Sequence, residues 1–421
     1  MKEIFFAAFT WIVDRLRTGP WWQRVLLILA AVLLIVVFVA VVSQVNHLGE
    51  WFDKIPDVGK GVVVLGLFAF ALASTLWALF RWMKDKQLTD ENEHLKLKLT
   101  AAEAEVKQHD ELMERLMNVE SRERLWQKEC KVPRPQFIPA GQRRARFVTV
   151  LNLKGGVGKT TLTANLAAGL GLATKPLKVL LVDVDFQGTL GTATVDPALR
   201  QIQEANDHFV HRLLRAEQAD DSQLPKLRMG MSGVSSAQVI LSADSLDRAE
   251  FELQAVYFLD EARDPRFRFV THFHRDAVVN EYDLVIFDCP PRVTTSVVNA
   301  LLCSDAILIP TRLDGGSINA VPRTINWVQS FGPLCPASVV GVVATHVAVR
   351  QGKLSKADQL SYDTLRAEVQ SSYGVDVLFK EVVRSTSDAL NPKPGVVAST
   401  TAVGRQVFAK FVAEFRKRMS L

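Results

Sequence analysis

The chain has 421 residues, 48% of them hydrophobic, and its 50 lysines and arginines against 45 aspartates and glutamates leave a net charge of +5. So small an excess argues only weakly for nucleic acid or anionic lipid as a partner. Four scattered cysteines (Cys130, Cys289, Cys303, Cys335) show no CxxC or metal-ligand spacing, which excludes a disulfide framework and a cysteine zinc site and suits a reducing cytosol.

Residues 1–80 read as a two-helix transmembrane hairpin. Residues 25–42 are wholly apolar and 61–80 are uncharged, each close to the length of helix that crosses a bilayer. Trp21 and Trp22 stand before the first span, Trp51 lies between the two, and Trp77 and Trp82 flank the end of the second, as expected of an interfacial aromatic belt. Lys2, Arg15, Arg17 and Arg24 precede the first span and Arg81, Lys84 and Lys86 follow the second, so both termini are expected on the cytoplasmic side. Residues 4–16 either extend the first span or lie flat in the interface.

Residues 81–130 contain neither glycine nor proline and read as a helical stalk. Leu88, Asn92, Leu95, Leu99, Ala102, Val106, His109, Met113 and Leu116 alternate at spacings of four and three, the seam of a coiled coil that would pair two chains. The alternative is an amphipathic helix packed on its own domain. A helix of that length would extend roughly 75 Å. Residues 131–146, with three prolines, read as a linker, and its Arg143, Arg144 and Arg146 as a solvated end or a partner contact.

From 147 to 421, short apolar runs at 147–151, 179–182, 284–287, 306–309 and 339–343 alternate with helical stretches. That order indicates an α/β fold with a mostly parallel sheet flanked by helices, with ligands at the carboxyl ends of the strands. The first run enters Lys154-Gly155-Gly156-Val157-Gly158-Lys159-Thr160-Thr161. Three glycines in four residues let successive amides converge on an anion at a helix start, where Lys159 reaches phosphates and Thr160 takes a magnesium site. Leu153 stands where the ordinary P-loop pattern has glycine, and Lys154 is an added cation.

This arrangement resembles the deviant Walker A motif of the ParA/MinD ATPases, P-loop NTPases that pair as nucleotide-sandwich dimers. The resemblance implies ATP and Mg2+ as ligands, with residues 154–161 holding the nucleotide and Lys154 reaching the partner's phosphates. Asp183-Val184-Asp185-Phe186-Gln187 is similar to the family's D-x-D-x-Q segment, which puts Asp185 near the attacking water and the metal. Tyr282-Asp283 through Asp288-Cys289-Pro290-Pro291 resembles its Walker B and switch II element, with Asp288 holding a magnesium-bound water and Cys289 as buried filler. The stretch 299–310 is similar too; Thr345-His346 fits less faithfully, His346 reading as a strand-end residue, and 189–280 match only loosely.

The expectation is an ATPase of a bacterial inner membrane, catalytic through Lys154, Lys159 and Asp185, with metal at Thr160, Asp185 and Asp288. ATP-dependent dimerisation would act as a switch for positioning, assembly or signalling with an unidentified protein partner. Two alternatives stand beside it: a bacterial tyrosine-kinase-like protein, and a membrane tether binding DNA nonspecifically. The final helix, 404–419, reads as a cover for the sheet, or as a DNA or membrane contact.

Overall fold

The computed structural model describes residues 56–118, 125–350, 353–385 and 395–421, with single positions between 20 and 54. They form two compact units, Met1–Glu114 and Arg115–Leu421.

The first unit is dominated by α1 (Asp57–Asn118), 62 residues with no proline to interrupt it. The expected second span and the stalk are therefore one continuous helix. Among the described residues no helix is long and apolar enough to cross a membrane. Apart from single positions, residues 4–16 and 25–42 lie outside the described set, as do many side chains over 57–71. Every described seam residue (Leu88, Asn92, Leu95, Leu99, Ala102, Val106) is exposed. The Arg24 guanidinium lies 4.9 Å from the centre of the Trp82 ring, and that of Arg81 5.4 Å from Trp77.

The second unit is built on a seven-stranded sheet in the order β3-β4-β2-β5-β1-β6-β7. In chain order come β1 (Arg146–Val150), α2 (Lys159–Gly171), β2 (Val179–Asp183), β3 (Arg228–Met231), β4 (Val234–Ile240), α3 (Ser245–Leu259), β5 (Leu284–Asp288), α4 (Thr295–Cys303), β6 (Ala306–Thr311), α5 (Gly315–Gln329), β7 (Ser338–Ala344), α6 (Lys356–Tyr373) and α7 (Ala402–Met419). All pairings are parallel except β3 with β4. The strands are apolar on both faces because both are covered. Val148, Val150 and Leu181 pack with α2 and α7, whereas Phe147, Leu180 and Phe287 pack with α4 on the other side.

The expected strands all form, within a residue or two at their ends. The β3–β4 hairpin, turning at Gly233 with φ +71°, was not expected: its strands read Arg-Met-Gly-Met and Val-Ser-Ser-Ala-Gln-Val-Ile, too polar to stand out. The α7 helix covers the sheet, burying Phe408, Phe411, Val412, Phe415 and Met419. Its Arg418 donates to the carbonyls of Val340, Val377 and Leu378, and Arg416 to those of Leu421 and Lys175.

Two expectations about the stalk and linker need correction. The described helix ends at Asn118, and from Trp126 the chain runs as a non-helical strap on the sheet-bearing unit itself. Trp126 is 1% exposed and stacks on Tyr257, ring centres 5.7 Å apart at 9°. Arg266, fully buried and paired with Asp264 at 2.5 Å, donates to the carbonyls of Trp126 and Lys128. Burying that pair is tolerable because its remaining protons find backbone acceptors. Nor is the arginine cluster wholly solvated: Arg143 is buried against Asp305 at 2.5 Å and Arg146 opens β1, half-buried, whereas Arg144 stays exposed while pairing with Asp283 at 2.6 Å. The domain thus begins about twenty residues earlier than its first strand indicates.

Candidate functional site

The loop from 151 to 158 leaves the end of β1 and delivers the chain to α2. Gly156 and Gly158 adopt φ +71° and +83°, which an L side chain resists. At Gly158 a Cβ would also sit 2.8 Å from His346 Nε2, so a side chain there would have to displace that ring as well as adopt the positive φ. The loop is pinned from beneath. Asn152 donates to the Pro310 carbonyl at 2.8 Å and accepts from the Lys154 amide at 2.8 Å, while Thr345 Oγ1 donates to the Val157 carbonyl at 2.7 Å. The cradle's shape therefore comes from β6 and β7 as well as from its own glycines.

A cavity of ≈ 460 Å³ opens above the loop. Residues 155–161 form its floor, Asp185 and Pro291 stand at its sides, and His346 and Val396–Ala398 complete the wall. Lys159, 7% exposed, donates from Nζ to the carbonyls of Lys154 at 3.0 Å and Asn152 at 3.2 Å. Burial pulls its ammonium below the ordinary lysine range, and Asp288 and Asp185 act against that. Lys154 is exposed, and no ion pair holds its side chain among the described residues.

Parallel register sets Asp183 and Asp288 side by side at the carboxyl ends of β2 and β5. They have different work. Asp183 is fully buried and accepts from the amides of Asp185 at 3.1 Å and Gly191 at 3.3 Å, so it shapes the turn that carries Asp185. Burial first, then the neighbouring Asp288, raise its carboxyl well above the usual range. Asp288 accepts from Thr163 Oγ1 at 3.1 Å through Oδ1, but its buried Oδ2 has no hydrogen-bond partner among the described residues. Burial pushes its carboxyl up to about 7, against the pull of the Thr160 and Thr163 hydroxyls and Lys159. A buried carboxylate oxygen without a partner costs free energy unless a cation or donor arrives. Beside a cradle of amides, that is a fit for an anion carrying a hard cation.

Every residue expected in the site except Lys154 is a wall of this cavity or, like Asp288, lies directly beneath it. Several contributors went unforeseen. Asn165, two turns into α2, accepts from the Ser399 amide at 2.8 Å and so holds the 396–398 wall. His346, expected as an ordinary strand end, takes φ +56° and lines the cavity; its depressed basicity comes from burial and then from Arg312. Cys289 is buried, as expected of filler.

A family model described as an AAA domain matches residues 145–333. The sporulation initiation inhibitor protein Soj of Bacillus subtilis is 31% identical over 185 residues, 44% of this chain and 65% of that protein. The chromosome partitioning protein ParA of Myxococcus xanthus is 33% identical over 189 residues, 44% of this chain and 58% of that one. The chain thus spans somewhat under two thirds of the length of these relatives. Among solved structures, apo McdA of Cyanothece aligns with a TM-score of 0.49 at 19% identity, over 65% of this chain and 99% of that one. The segment 145–333 is thus similar to the AAA-domain model and to Soj and ParA in sequence, and the unit that carries it has an α/β P-loop NTPase fold with a mostly parallel sheet and a glycine cradle.

Proposed function

We propose that the chain is a Mg2+-dependent ATPase, anchored in a bacterial inner membrane by an N-terminal hairpin, that pairs with a second copy to act as a positioning or assembly switch. The observation that carries the catalytic part is the orphaned Oδ2 of Asp288 beneath the glycine cradle. Bound Mg2+ and ATP would supply the missing cation and the phosphoryl group to be transferred. The amides of 155–161 would hold the phosphates, with Lys159 leaving its two loop carbonyls for them. Thr160 and Asp288 would hold the metal, and Asp185 would orient water. Lys154, exposed and without an ion pair among the described residues, is free to serve a partner's site. Soj and ParA, by their names, act in sporulation and chromosome partitioning, which supports a positioning role.

Membrane anchoring is supported by the described apolar surface of α1, where Phe70, Leu76 and Phe80 are exposed. It is also supported by Arg24, which precedes the first apolar stretch, lying against Trp82, which follows the second. Against the kinase alternative, Tyr257, Tyr282 and Tyr362 are buried and the half-buried Tyr373 hydroxyl accepts from the Val339 amide.

In the full chain, Lys159→Ala should abolish nucleotide binding. Lys154→Ala should retain binding yet lose on the order of 10²-fold or more in phosphate release. Unchanged turnover in Lys154→Ala would sink the paired-site reading, and protein phosphotyrosine in place of free phosphate would sink the ATPase itself.

A further inference from the structure

The helix α3 touches two places with no obvious business together. At its carboxyl end, Tyr257 stacks on Trp126 of the strap, and Glu261 just beyond receives Lys128 at 2.7 Å and Lys131 at 2.5 Å. Nearer its start, Glu250 accepts from the amide of Ser296 at 3.1 Å and from its hydroxyl, at the beginning of α4. Asp247 pairs at 2.7 Å with Arg292, whose guanidinium lies 4.5 Å from the centre of the Phe186 ring. Phe186 follows Asp185, and Arg292 follows the Pro290-Pro291 pair after Asp288. One helix therefore grips both the loop that leaves the metal-site carboxylate and the segment through which the chain enters the domain.

We infer that α3 is a lever coupling the switch loop 289–296 to the strap 125–131, with Glu250 as the positioning residue at the switch end. The inference rests on the nucleotide reading above. The α3–α4 contact is made by a buried carboxylate on a backbone amide, and the strap contact by the flat aromatic stack of Tyr257, with the buried Arg266 holding the strap from the loop beyond the helix. Neither can slide by small increments without losing a partner, so a shift at one end is passed on rather than absorbed. Coupling of this kind is reciprocal: whatever nucleotide does to the strap, force on the strap does to the site. The strap is the covalent continuation of residues 57–118, so that route is open to whatever restrains the chain's N-terminal part.

The test is hydrogen exchange on the full chain in detergent, with and without Mg2+ and AMPPNP. In the wild type, amides 155–161 should slow, and those of 125–131 should change by on the order of threefold or more. In Glu250→Gln the 155–161 response should persist while the strap response disappears. Asp247→Asn, at the helix surface, should weaken the strap response even if Glu250→Gln folds poorly. A wild-type strap that keeps its rates while 155–161 slow overturns the lever and leaves the nucleotide site standing. No response at 155–161 overturns the nucleotide reading, and the lever with it.

Discussion

Asp288 shows how a single carboxylate can be expensive alone and useful in company. Its carboxyl titrates near 7 in the fold, against 3.8 in its ordinary state, with burial as the main cause. Below about pH 4 both folded and unfolded states hold the proton. Between 4 and 7 only the folded state does, so the folded chain's advantage from this group falls as pH rises, by roughly 4 kcal/mol at most. The Asp288→Asn variant cannot ionise. Its stability relative to wild type, without Mg2+ or nucleotide, should therefore rise from pH 4 to pH 7 and level off above. Comparing the two chains at each pH in denaturant melts removes the opposing contribution of residues such as His274, which burial depresses to about 4. Parallel stability curves would mean that Asp288 is ionised throughout. The gain in stability should come with loss of Mg2+-dependent nucleotide affinity, since the same oxygen serves both.

The elements were legible in proportion to how far their residues answer to local rules. Strands buried on both faces announce themselves as apolar runs, and the glycine cradle announces its chemistry because no other sequence makes that turn. Asp283 and Asp305 were recognisable by position alone. Their work is structural: Asp283 pairs with Arg144 and accepts from the Lys178 amide, and Asp305 accepts from the Phe147 amide while holding Arg143. The strap could not be read in advance, because what makes residues 125–131 part of the domain is Tyr257, Glu261 and Arg266, well over a hundred residues away. The cavity wall at 396–398 was hidden for the same reason. It is positioned by Asn165 and by Gly404, where a Cβ would lie 1.8 Å from the Ala398 carbonyl oxygen. Because the obstacle is backbone, Gly404→Ala has no cheap relief. It should cost about 3 kcal/mol or more in a melt and weaken nucleotide binding through the displaced wall. A variant with unchanged affinity would show that 396–398 do not touch the ligand.

At the scale of the whole molecule, the unmet surface lies on α1. Leu88, Leu95, Leu99 and Val106 recur at coiled-coil spacing and are about half exposed or more. A helix this long with an apolar stripe gains most by burying it against an identical helix. If two chains are joined there, each sheet-bearing unit meets the other at a fixed effective concentration, on the order of millimolar for a short tether. Turnover that needs Lys154 from the partner then becomes independent of total protein. Leu95→Asp with Leu99→Asp breaks the stripe with two buried charges while leaving residues 125–421 untouched. In detergent, wild-type turnover per chain should stay flat across a dilution series. The double variant should fall on dilution by on the order of tenfold and recover when concentrated, because its heads must meet by diffusion. Wild-type turnover that falls with dilution in the same way would show that α1 does not pair the chains, and the apolar stripe would need a different occupant.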